Sequence, residues 1–388
     1  MQILVLNTGS SGVKFSLLSA ETEEVSYSGL ADWSSQPARF EMHRAGAAPV
    51  TDTLSATRPA DAVDEVLSRL PRETIAAVGH RVVHGGPSFT HAVRVTPEVK
   101  AELVRVSELA PLHNPIALEG LSAAESAWPD VPQVVAFDTA FHATLSEAAS
   151  TFALPDSWTR DWGLRRYGFH GLSHAYCAGR AAEMLGRTDA RLVICHLGNG
   201  CSASAVAGGV CVETTMGFTP LDGLMMGTRS GSVDPGLLLY VLRRKGLTPE
   251  QVDHALNYES GLLGVSGLSG DMRAVQAAAE KGNDRARLAL EMYTRRLRQT
   301  IGALTATLGG VDALVFTAGV GEHSAAVRAE ACRGLECLGL ELDAAANAAC
   351  KPDADVAATG ARGRILVIAT REEVSIVRAV ARVLRGEG

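Results

Sequence analysis

Residues 2–18, QILVLNTGSSGVKFSLL, and residues 191–206, RLVICHLGNGCSASAV, decide how this chain is read. Each is an apolar strand, a short turn of Gly, Ser or Asn, and a second strand in which apolar residues alternate. Both therefore read as tight hairpins. A third run, ALVFTAGVGEH at 313–323, is also a strand entering a glycine-rich turn. One glycine turn between strands is ordinary. Three of them, two lying half a chain apart, point to a duplicated unit with a ligand held between the copies.

Amphipathic helices separate the hairpins. Pro59 to Leu70 sets Ala62, Val63, Val66, Leu67 and Leu70 on one face, and Thr96-Pro97-Glu98 opens a helix toward Leu109 as an N-cap with proline at the first helical position. Arg285 to Leu308 and Glu372 to Leu384 carry further helical patterns, the last with a Val374, Val377 and Ala381 stripe. Ser34 to Pro59 is polar and carries no clear period. Strands and helices alternate, so the class is α/β.

The 388 residues, 46% hydrophobic and 20% charged, exceed what one core fills, so two domains are expected. A formal net charge of −7 argues against a general nucleic-acid binder. The seven cysteines include no C-x-x-C pair and read as scattered thiols of a reducing compartment. The N-terminal apolar run, Ile3 to Leu6, lacks the basic flank and length of a signal peptide. With no uncharged stretch near the ~20 residues of a membrane helix, a cytoplasmic protein without membrane contact is expected.

Several residues could carry chemistry. Asn7 through Lys14 and His196-Leu197-Gly198-Asn199-Gly200 each offer the close backbone approach that a phosphate needs. Read alone, nucleotide phosphate and plain hairpin turns stay equally open, because the Walker A, G-x-G-x-x-G and H-R-D patterns are all missing. Arg81, in HRVVHGG, follows a strand and adjoins glycines. That setting suits a fork-shaped grip on a carboxylate, although for any one arginine taken alone a structural ion pair is the favoured reading. His113 and His170 sit singly in turns. His170 and His174 have the spacing of a helical metal pair, the weaker reading without a third ligand. Asp138 ends the strand Gln133 to Phe137, where α/β proteins place catalytic or metal-holding acids and also ordinary caps. Thr215 to Gly231, TMGFTPLDGLMMGTRSG, has no regular period. Long irregular loops in compact domains are usually functional, and this one carries Arg229 between glycines. Thr370-Arg371-Glu372-Glu373 places another acid at a strand's end.

At these residues the chain resembles the acetate and propionate kinase family of the actin-like ATPase superfamily. The motifs run in order from Met1 to about Arg378: LNTGSS, HRVVHGG, FDTAFH, GFHGLSH, HLGNG, TMGFTPLDGLMMGTRSG, SGDMR and TREE. The resemblance implies two duplicated actin-like (ribonuclease H-like) α/β domains, each with a mixed five-stranded sheet, and a nucleotide cleft between them. The first would span 1–145 and recover the C-terminal helix at about 373–388. The second, 146–372, would bind nucleotide and form a homodimer.

It further implies phosphoryl transfer from ATP to acetate, with Mg2+ (or Mn2+) as cofactor and ADP and acetyl phosphate as products. By position, Asn7 and Glu372 match the metal site. Lys14, His196, Leu197, Gly198, Asn199, Gly200, Asp271, Met272, Arg273, Gly319, Val320, Gly321, Glu322 and His323 match the nucleotide site. Arg81 matches the arginine that binds the substrate carboxylate, and Val83, Leu112, Phe169 and Pro220 match the acyl pocket. Asp138, His113, His170 and Arg229 match the catalytic groups. Two positions depart from the family pattern: Gly12 stands where a third serine is usual, and His323 stands where Asn is usual.

Acetate is already ionised at neutral pH, so the reaction needs charge neutralisation and no general base. Arg229 and His170 suit that task, and Asp138 suits orienting a metal, a water or an arginine. Propionate kinase is the alternative within the family. A non-catalytic ATP-gated protein is the remote one, and a zinc enzyme built on His170 and His174 lacks ligands.

Overall fold

The computed structural model describes residues 1–34 and 37–387. They form two compact units, Met1–Ala143 with Arg371–Gly388, and Thr144–Thr370.

The first unit holds strands β1 (Gln2–Thr8), β2 (Gly12–Ser19), β3 (Val25–Asp32), β4 (Arg39–Arg44), β5 (Val50–Thr53), β6 (Ile75–Val82), β7 (Val93–Arg94) and β8 (Gln133–Phe137). They form one sheet in the order β5-β4-β3-β2-β1-β6-β8-β7. β1 runs antiparallel to β2 and parallel to β6, which is parallel to β8. The second unit holds β9 (Arg191–Leu197), β10 (Cys201–Ala207), β11 (Val210–Thr214), β12 (Ala313–Thr317), β13 (Ala354–Asp355) and β14 (Arg364–Val367), in the order β11-β10-β9-β12-β14-β13. Here β9 is antiparallel to β10 and parallel to β12, which is parallel to β14. The same arrangement of five strands, β3-β2-β1-β6-β8 and β11-β10-β9-β12-β14, stands in both sheets, as a duplication requires.

The expected five-stranded sheets are thus eight- and six-stranded. The additions lie at the sheet margins, β4 and β5 beyond β3, β7 beyond β8 and β13 beyond β14. β4 and β5 come from the stretch that has no clear period in the sequence, because an edge strand with fully exposed residues, as in β5, needs no apolar alternation. A second correction concerns 319–323. Gly319, Val320, Gly321, Glu322 and His323 lie in a short helix, Ala318–His323, which begins at a left-handed Ala318 (φ 64°).

The helices form where their patterns place them. Pro59–Ser68 buries Ala62, Val63, Val66 and Leu67. Pro97–Val106 starts at Thr96, whose side chain accepts from Val99 N. The helix Asp284–Thr307 is capped by Asn283. The helix Glu372–Leu384 buries Val374, Ile376, Val377, Val380 and Ala381 in the first unit. Gly79 of β6 makes room for it, since a Cβ there would lie 2.7 Å from Ile376 Cγ2 and 2.8 Å from Val380 Cγ2.

Candidate active site

In the first unit the ends of three strands meet the start of the last helix. Arg81, one residue short of the end of β6, is held from several sides. Its Nε donates to Asp138 Oδ1 (3.1 Å), Nη2 donates to Asp138 Oδ2 (2.5 Å) and Nη1 donates to Asn7 Oδ1 (3.2 Å). Glu372 Oε2 stands 3.8 Å from Nε. Asp138 follows β8, with its backbone N–H donating to Val82 O, and is buried. Burial disfavours the charge on Arg81, but the fields of Asp138 and Glu372 and the hydrogen bonds to Asp138 outweigh it and raise its pKa. A guanidinium has five N–H groups. Three are used, leaving one on each terminal nitrogen.

Asn7 Oδ1, Asp138 and Glu372 are hard oxygen donors of the kind that holds Mg2+. Among the described residues no three His, Cys, Asp or Glu side chains group as metal ligands. Mg2+ commonly takes one or two carboxylates and completes its shell with substrate oxygens and water, so this oxygen set fits that metal.

Beside this cluster His80 is fully buried and bonds Gln133 Oε1 through Nε2 (2.8 Å). Burial pushes its pKa from 6.5 down to about 4. Gly12, where a third serine is usual, abuts the backbone, since a Cβ there would lie 2.8 Å from Ala31 O. Lys14 is exposed on β2, Leu112 is 58% exposed, and His113 is exposed at the N-cap of the helix Asn114–Ala127. Val83 is half-buried just beyond β6.

The second unit gathers histidines and hydroxyls at its strand ends. His170 caps the helix Gly171–Leu185 in the left-handed region (φ 58°, ψ 24°), a conformation that costs an ordinary residue about 1–3 kcal/mol and marks functional positions. Its Nδ1 lies 3.0 Å from Ser202 Oγ, which lies 2.7 Å from His174 Nε2. The His170 ring stacks on His196 at 4.2 Å and 23°. His196 Nδ1 is 2.8 Å from Ser173 Oγ, and Ser173 Oγ is 2.8 Å from Thr370 Oγ1. The pair spaced as metal ligands, His170 and His174, instead shares one serine hydroxyl.

Arg229 enters from the irregular loop. That loop docks on the β9–β10 turn through Gly227 N, which donates to Asn199 O (3.0 Å). Gly261, left-handed at φ 62°, lets Leu262 and Leu263 donate to the loop carbonyls of Met226 and Gly227, and a Cβ on it would strike Met226 O. Arg166 braces the start of the loop by donating to Thr215 O and Met216 O. Arg229 Nη1 donates to Pro220 O (2.7 Å). No salt bridge reaches Arg229 among the described residues, and burial lowers its pKa. A Cβ on Gly200 would lie 3.0 Å from Arg229 Nη2 and 3.4 Å from His170 Nε2. Both side-chain ends thus converge on the bare backbone of the turn.

Phe169 is buried and Pro220 half-buried. Asp271 and Arg273 are exposed and pair with each other (2.7 Å), while Met272 is buried. Glu322 accepts from Thr370 N (2.9 Å) through its side chain. Its carbonyl and that of Gly321 are held by Arg328, a buried cation. Sequence reasoning missed Ser173, Ser202, Arg166 and Arg328. The alternation in CSASAV, which turns Ser202 and Ser204 to one face of β10, was the available signal for Ser202.

The Acetokinase family model matches residues 2–378. An acetate kinase of Cyanothece sp. is 47% identical over 97% of both chains, and one of Microcystis aeruginosa is 48% identical over 97% of this chain and 98% of its own. Among solved structures, acetate kinase of Porphyromonas gingivalis superposes with a TM-score of 0.93 at 38% identity over 99% of both chains. A propionate kinase from Francisella tularensis superposes with a TM-score of 0.92 at 36% identity over 97% and 98%. The chain belongs to the acetokinase family.

Proposed function

We propose that this chain transfers the γ-phosphoryl of ATP to the carboxylate of acetate, giving ADP and acetyl phosphate, and that it runs reversibly. The observation that carries the reading is Arg229, a largely desolvated cation with no carboxylate against it among the described residues, converging with His170 on the Gly200 turn. A cation left unpaired at a cost in stability is poised for a ligand's negative charge.

A carboxylate oxygen of acetate forms the new bond to γ-phosphorus as the bond to the β–γ bridging oxygen breaks. The electron pair leaves on ADP, and no proton moves. Phosphoryl transfer rests on positioning and charge stabilisation. Arg81, locked by Asp138 and Asn7, holds the acid through its two remaining N–H groups. Asp138 is thus an orienting group for the arginine. Arg229 and His170 take the charge that develops on the transferred group. Asn7 and Glu372 would hold Mg2+, which when bound neutralises phosphate oxygens. Val83, Leu112, Phe169 and Pro220 are assigned to the acyl methyl and His113 to an accessory role. Lys14, His196 to Gly200, Asp271 to Arg273 and Gly319 to His323 are assigned to the nucleotide. Propionate differs by one methylene, worth only ~1–3 kcal/mol, and the likeness to a propionate kinase keeps it as the second reading.

The homodimer is supported by the helix Pro235–Arg244, which buries none of its residues. It leaves Leu237, Leu239 and Tyr240 about half exposed. A cytoplasmic setting is supported by the seven cysteines, which form no disulfide among the described residues, and burial pushes the Cys177 thiol up to about 12.

Incubating the protein with ATP, Mg2+ and acetate, propionate or butyrate, and trapping acyl phosphate with hydroxylamine, tests the reading. The expected product is acethydroxamate in highest yield. A higher yield from propionate moves the assignment to that acid, and no hydroxamate from any acid overturns it.

A further inference from the structure

We propose that Ser202 is a positioning residue that fixes the tautomer of His170, through a relay running from His174 Nε2–H to Ser202 Oγ and from Ser202 O–H to His170 Nδ1. The proposal rests on the reading in which His170 stabilises the transferred phosphoryl.

A serine hydroxyl has one proton, so between two imidazole nitrogens at 2.7 and 3.0 Å it can donate to only one. Ser202 and His174 are both fully buried in the second unit, so each of these hydrogen bonds counts and water cannot easily substitute. Two arrangements satisfy the geometry. If Ser202 donates to His174, His170 must carry its proton on Nδ1 and turn a lone pair on Nε2 toward Gly200. If Ser202 donates to His170 Nδ1, the proton sits on Nε2 and that nitrogen is a donor.

His170 Nε2 faces the same point as Arg229 Nη2. A phosphoryl oxygen there needs donors, and a lone pair would repel it. A further positive charge on this ring would sit against Arg229 and across a 4.2 Å stack from His196. The neutral ring with its proton on Nε2 therefore suits the site, and Ser202 selects it. His170 also holds a left-handed backbone (φ 58°), and its Nδ1 edge meets β10 at Ser202.

Long-range 1H–15N spectra of the full chain labelled at histidine, assigned by comparison with His170→Gln, read this directly. The expected wild-type pattern is a pyridine-like Nδ1 and a pyrrole-like Nε2 on His170. In Ser202→Ala that bias is expected to fade and kcat to fall about tenfold, the loss typical when an outer hydrogen-bond partner is removed. KM for ATP should stay unchanged, and Ser202→Thr should restore both signals and rate. A pyrrole-like Nδ1 in the wild type overturns the relay, as does a folded Ser202→Ala with unaltered ring signals and kcat. Should Ser202→Ala fail to fold, the wild-type spectrum decides alone. Full kcat in His170→Gln, with the expected wild-type ring pattern, would remove His170 from the chemistry and leave the relay standing.

Discussion

Counted along the strand registers, the ends of the two sheets correspond: Asn7 to His196, Lys14 to Ser202, His80 to Phe316, Arg81 to Thr317, and Asp138 to Thr370. In the first unit these positions hold an arginine gripped by an acid and an amide. In the second they hold three hydroxyls, one imidazole and a phenyl ring, with Thr317 Oγ1 donating to Ile368 O (2.7 Å). Arg229, which meets no carboxylate among the described residues, comes from a loop outside the sheet. The same scaffold has thus been filled twice, once with charge balanced inside the strands and once with neutral donors plus a cation left unbalanced. In the proposed reading the balanced arginine serves as a rigid fork for a carboxylate and the other as a sink for negative charge.

Removing the unbalanced arginine tests this contrast most severely. Arg229→Ala is expected to lower kcat by about 10³-fold or more with little change in KM for ATP. Arg81→Ala should act mainly on KM for the acid. Hydroxamate assays across both substrate concentrations separate the two, and identical kinetic patterns would erase the distinction.

Next comes the acid that balances Arg81. Asp138→Ala leaves that guanidinium without its main partner and should cost about 3 kcal/mol, the low end for a buried pair because Arg81 keeps some exposure. A urea midpoint unchanged from wild type would show that the ion pair carries no stability.

His80 sharpens the comparison through pH. Its folded pKa is depressed from 6.5 to about 4, so between those values the unfolded chain binds more protons. Its contribution is whole above pH 6.5 and is lost as pH falls toward 4, about 2 kcal/mol by pH 5. His80→Phe, which copies Phe316, should flatten that slope in urea unfolding followed from pH 7 to 5.

The smallest effect is expected at Thr317. Thr317→Val keeps shape and leaves Ile368 O without its donor, at about 1 kcal/mol, read as a small drop in thermal midpoint.

The sequence was most legible where a local rule decides structure. Both glycine hairpins form, and the helix Glu372–Leu384 matches its apolar stripe end to end. The loop 215–231 stands out in the sequence by having no period, and its Arg229 donates to Pro220 O and meets no carboxylate among the described residues. Legibility failed at edges and between distant residues. β5 is exposed along its length, so its β-branched Val50, Thr51 and Thr53 stand without the apolar alternation that marks a half-buried strand. Ser173, Ser202 and Thr370 are common residues far apart in the chain, and only the β9–β10 pairing and the β12–β14 crossover bring their hydroxyls to the histidines. The helix at 318–323 begins at a left-handed alanine, which no propensity foretells.

The helix Glu372–Leu384 has a consequence for how the protein is made. It supplies part of the first unit's core, yet it leaves the ribosome only after the entire second unit has been synthesised. At roughly 5–20 residues per second, the first sheet waits about ten seconds or longer with Gly79 and its apolar neighbours uncovered. Folding in the order of synthesis therefore favours the later half finishing first, and a nascent chain stalled before this helix is a natural client for chaperones.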